Sequence, residues 1–63
     1  MVLSREKLND LHDHGRLVES VCNNAYSCYL LGKPQTSEDL VRSVEDLLEN
    51  TRTIVQELLA PPP

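Results

Sequence analysis

LLGKPQTSEDL, residues Leu30 to Leu40, decides how this chain folds. Glycine enters the left-handed backbone conformation without a Cβ penalty, and proline lacks the N–H that would continue a helical ladder. Leu31-Gly32-Lys33-Pro34 is therefore a helix stop. Thr36 or Ser37 then offers a hydroxyl to cap a new helix, and Glu38 and Asp39 in its first turn suit the positive end of the helix dipole. A break this short between two long periodic segments makes the two helices antiparallel neighbours. The expected fold is all-α, an antiparallel two-helix hairpin with helices over about 4–31 and 37–59.

Outward from the turn, both ends carry their own signals. Ser4 is placed to cap the first helix, with Leu3 before the cap able to pack on Leu8 after it. At the other end Ala60 and three prolines stop the second helix and continue as a stiff extended segment. Residues 1–60 thus read as one hairpin domain, and residues 61–63 as a Pro-rich tail or, equally, the start of a linker.

The apolar spacing gives each helix a seam. On the first, Leu8, Leu11, Gly15, Val18, Cys22, Ala25 and Tyr29 alternate three- and four-residue steps; on the second, Leu40, Val44, Leu47, Thr51, Ile54 and Leu58 do the same. Folding at a turn spanning Gly32 to Thr36 sets Tyr29 opposite Leu40. The same register then pairs Ala25 with Val44, Cys22 with Leu47, Val18 with Thr51, Gly15 with Ile54 and Leu11 with Leu58. Small residues face larger ones throughout.

More apolar surface exists than one seam uses. His14, Leu17, Val21, Cys28 and Leu31 make a second stripe on the first helix, and Val41, Leu48 and Val55 recur beside the seam of the second. Stripes that need cover on two sides are typical of four-helix bundles, so these residues are the expected partner interface. In shape alone the arrangement is similar to the helical hairpins of repressor-of-primer type, with no residue motif in common and without the basic charge that RNA binding would need.

Size points the same way. A chain of 63 residues buries only about 60% of the surface its unfolded form exposes. Hydrophobic residues are 40% of the chain, yet there is no Phe or Trp to anchor a compact core, so the core must be aliphatic and shared.

Charge narrows the partners. Ten acids against six bases leave a net charge of -4, and the bases are scattered, which disfavours nucleic acid and anionic membrane surfaces. The longest apolar run, Cys28 to Leu31, is far short of the roughly 20 residues that span a bilayer. Charged residues from Arg5 onward interrupt any secretory signal core. The expected setting is intracellular, cytoplasmic or nuclear, with reduced thiols.

No chemistry emerges from the remaining motifs. Cys22 and Cys28 lie six helical steps apart, about 9 Å along the axis, beyond the reach of an internal disulfide and outside the C-x-x-C spacing of redox and zinc sites. They read as packing thiols, with Cys22 in the seam and Cys28 on the outer stripe. His12 and His14 point to nearly opposite sides of a helix, whereas helical metal pairs share a face at three or four steps. Glu45, Asp46 and Glu49 form an acidic run on a solvated face. No nucleophile-base pair and no phosphate-binding loop occurs. The expectation is a non-enzymatic interaction module with no catalytic residues, no metal, no cofactor and no small-molecule substrate. It would self-associate as a dimer of hairpins and scaffold attached segments; the alternative is an adaptor whose open groove takes an amphipathic helix of a different protein.

Overall fold

The structure, a computed structural model, describes residues 3–60. It consists of two helices packed against each other, α1 (Arg5–Leu30) and α2 (Pro34–Leu59), with no strand among the described residues. Each helix has 26 residues, a length of about 39 Å at ~1.5 Å per residue. The molecule measures 50 × 15 × 11 Å, and its thinnest dimension is the diameter of a single helix. Its radius of gyration of 14.9 Å compares with about 11 Å for a compact globule of this chain length. The hairpin is a rod one layer thick.

The turn follows from its glycine and proline. Gly32 has φ +78°, the left-handed value that a side chain resists. That conformation lets the Gly32 N–H donate to the Tyr29 carbonyl at 3.1 Å and the Lys33 N–H to the Cys28 carbonyl at 2.8 Å. These two bonds are the paired closures of a Schellman cap, which satisfy carbonyls left over at the end of α1. At the start of α1 the Lys7 N–H donates to Ser4 Oγ at 3.3 Å, as the sequence requires of a capping serine.

The second helix starts three residues earlier than the hydroxyl-capping signal implies. Pro34 occupies its first turn and Lys33 is the N-cap, without a side-chain cap bond. Proline suits that position because its fixed φ is already helical and its missing N–H has no partner to lose. Neither Thr36 nor Ser37 is the cap, and Glu38 and Asp39 fall beyond the first turn. Ser37 has another use: its Oγ donates across the hairpin to the Ala25 carbonyl at 2.7 Å. Thr51 and Ser43 turn their hydroxyls back to Leu47 and Leu40 carbonyls on their own helix, so these inward polar side chains are satisfied locally.

At the open end Lys7 pairs with Glu57. Between this ion pair and the Ser37 bond, the less exposed positions of α1 are Leu11, His14, Val18, Val21, Ala25 and Cys28, and those of α2 are Leu40, Ser43, Val44, Leu47, Thr51, Ile54, Val55 and Leu58. Six of these α2 positions coincide with its seam spacing, and Ser43 and Val55 flank them. The α1 row is rotated: Leu11, Val18 and Ala25 face inward as expected, but His14, Val21 and Cys28 stand where Gly15, Cys22 and Tyr29 were expected. The cross-helix bonds set the register: Ser37 reaches the Ala25 carbonyl and Lys7 reaches Glu57, whereas the expected pairing puts Ala25 opposite Val44, so α2 lies at least one helical turn from its expected place along α1. The shorter turn causes this, because removing residues between the helices slides α2 along α1.

Candidate interaction groove

Two stacked helices cannot enclose a core. Among the described residues only Ala25 (5% exposed) and Leu58 (9%) are buried, and no side chain is fully so. Ala25 owes its burial to its size: the small side chain lets α2 approach closely enough for the Ser37 hydroxyl to reach the Ala25 carbonyl. Every other apolar side chain of the seam keeps part of its surface open.

The open apolar surface is concentrated on one side. Cys22, Tyr26 and Tyr29 of α1 and Val41, Val44 and Leu48 of α2 line a groove of about 520 Å³, enough for a row of incoming side chains and far more than the ~30 Å³ of one water. Ala25 forms its floor, with Ser37 at one end and Glu45 on its rim. Tyr26 and Tyr29 are each 67% exposed, Val41 56% and Leu48 53%, so the groove walls are apolar and wet. Residues seven apart share a helix face. The same side therefore continues toward the open end through Gly15 and Leu8 on α1 and through Val55 on α2. At Gly15 an added Cβ would meet nothing within 4 Å, so this chain supplies no neighbour there.

The opposite side is different in kind. There α2 presents Thr36, Asn50 and Glu57, while on α1 and its C-cap Asp10 and Asn24 alternate with Leu17 and Leu31. One side of the rod is an apolar groove and the other is mainly polar.

This geometry reassigns the sequence-derived sites. Leu8, Gly15, Cys22 and Tyr29, expected inside the hairpin, are exposed and belong to the groove side. His14, Val21 and Cys28, expected at the partner interface, are half-buried on the inward row. Val41 and Leu48 line the groove, and Val55, half-buried, lies one heptad further on the same side. Leu17 and Leu31 are exposed but on the opposite side, so the two outer stripes do not form one surface. The rotation of α1 explains all of these shifts together. Tyr26 and Glu45 were not expected in a site; Tyr26 lies four residues after Cys22, one helical turn along the same side, and that spacing is the signal that would have found it.

Both thiols are free, Cys22 exposed and Cys28 half-buried. His14 Nδ1 is buried without a hydrogen-bond partner, a polar atom admitted to the hairpin seam by the same rotation. Among the described residues no three His, Cys, Asp or Glu side chains converge as a metal site would require, and no helix is long and apolar enough to cross a membrane. Comparison with protein-family models, with curated proteins and with solved structures finds no match to this chain.

Proposed function

We propose that this chain is a non-enzymatic oligomerisation module: two hairpins pair groove to groove into a four-helix bundle, joining whatever segments each carries, in an intracellular setting. The observation that carries this reading is the near absence of a core. With Ala25 and Leu58 as the only buried apolar side chains among the described residues, the isolated hairpin has little to offset the entropy of ordering two long helices. A groove-to-groove pair covers Tyr26, Tyr29, Val41 and Leu48 from both copies, and a large apolar side chain gains roughly 1.5 to 3 kcal/mol on full burial. Association and folding are then linked.

Sedimentation equilibrium combined with circular dichroism over a dilution series tests this. The expected outcome is a dimer at tens of micromolar whose helical signal falls as dilution separates the chains. A fully helical monomer at every concentration overturns it. A chain that stays monomeric and gains helicity only with an added amphipathic peptide would instead make the groove an adaptor site for a different protein.

A further inference from the structure

We infer that the two copies stack with their turns at opposite ends, each helix lying antiparallel on its own copy, and that charges on the groove rim select this arrangement over its alternative. The inference rests on the proposed self-association and specifies its geometry.

Glu45 stands on the rim of the groove beside α2, and Arg52, seven residues on, occupies the same rim position one heptad along. Neither takes part in an ion pair within the described residues. On α1 the groove-lining Tyr26 marks the corresponding rim, which heptad spacing continues through Glu19 and His12. A symmetric pair can stack groove to groove in two ways. With turns at the same end, α1 lies on the partner's α2. Glu19 then meets the partner's Glu45 and His12 meets the partner's Arg52, each twice by symmetry. With turns at opposite ends, α2 lies on the partner's α2. Glu45 meets the partner's Arg52 twice, and Glu19, level with Glu45, meets the partner's His12 twice. The second arrangement has two opposite-charge pairs where the first has only like or unmatched ones.

Shape agrees with charge. In the opposite-end stack Gly15 faces its own copy near the twofold axis, a meeting of small residues that lets the α1 helices approach closely, and the space beside Gly15 is open in the single chain. Along α2, Val41 faces the partner's Val55 and Leu48 its own copy, so the larger residues fill the side where the helices stand further apart.

Two measurements decide the orientation. By sedimentation, Glu45→Arg and Arg52→Glu should each raise the dissociation constant about tenfold, since each turns two attractive pairs repulsive, and the double variant should return it to near the original value. The same-end stack predicts the reverse for Glu45→Arg, because the new arginine would face the partner's Glu19. Independently, Gly15→Cys in a Cys22→Ser, Cys28→Ser background should give a covalent dimer on air oxidation through the same position of the other copy. The Cys22→Ser, Cys28→Ser protein with Gly15 kept should give none. In the same-end stack position 15 faces the partner's α2, which has no cysteine, so a noncovalent dimer that fails to cross-link, or that tightens with Glu45→Arg, overturns this inference and leaves self-association standing. Absence of any dimer overturns both.

Discussion

Ser37 shows how one atom group can set the closeness of two helices. Its hydroxyl, 2.7 Å from the Ala25 carbonyl, bridges the hairpin at the point where Ala25 is most buried. Ser37→Ala should cost about 1 kcal/mol in chemical denaturation, the usual net worth of such a bond. Gly32 acts through its own backbone: with φ at +78°, Gly32→Ala should cost roughly 1 to 2 kcal/mol, read in the same experiment. The cysteines give a third residue-level test. Cys22 is exposed on the groove side and Cys28 is half-buried in the seam. Thiol labelling of Cys22 should be fast in dilute protein and slow as concentration drives pairing. Cys28 should respond only when the hairpin itself opens. Seam spacing alone implies the opposite order, and labelling both thiols across a dilution series distinguishes the two.

At the level of elements, the existence of both helices, their antiparallel order and the turn were legible in Leu31-Gly32-Lys33-Pro34, because glycine and proline act through the local backbone whatever surrounds them. On α2, Leu40, Val44, Leu47, Thr51, Ile54 and Leu58 recur at one spacing in the sequence, whereas Ser43 and Val55, also half-buried, fall outside it. The inward row of α1 was not legible. Leu8, Gly15 and Cys22, then Leu11, Val18 and Ala25, then His14, Val21 and Cys28 form three adjacent rows of low polarity, and periodicity cannot rank them. The turn length decides: Pro34 opens α2, the connection shrinks to residues 31–33, and α2 slides by about one turn. The open end is tied by Lys7 and Glu57. The hydrogen bond to Glu57 raises the Lys7 pKa above its ordinary 10.5, with the charges of Glu57, Asp10 and Glu6 acting in the same direction. A cation held more firmly in the folded state contributes fully below its unfolded pKa and loses that contribution as pH rises through the folded one. Thermal scans above pH 10.5 should show a steeper loss of stability for this chain than for its Glu57→Gln variant. Because the pair is exposed, the difference will be small and will shrink with salt.

For the whole molecule, the groove and the seam separate in their consequences. Leu48→Glu sets a charge in the groove wall and should reduce the sedimenting dimer to a monomer, with helical signal lost at concentrations where the parent chain stays paired. Leu47→Ala, one residue away on the inward row, should instead cost about 2 kcal/mol of hairpin stability whatever the assembly state, the low end of the range because Leu47 keeps some exposure. Neighbouring residues on one helix would thus fail in different ways, one through pairing and one through the hairpin itself. The Schellman turn carries a further consequence, in time rather than in energy. Only residues 31–33 separate the helices, so the chain that must close before Ser37 finds Ala25 is short, and closing a loop of about ten residues takes ~10 to 100 ns. Successive pairs outward from the turn then form next to pairs already made, with Lys7 and Glu57 joining last. The hairpin zips in microseconds, while two hairpins still have to meet by diffusion. Refolding from denaturant should therefore show a fast unimolecular phase independent of concentration, followed by a slow one whose rate rises in proportion to it.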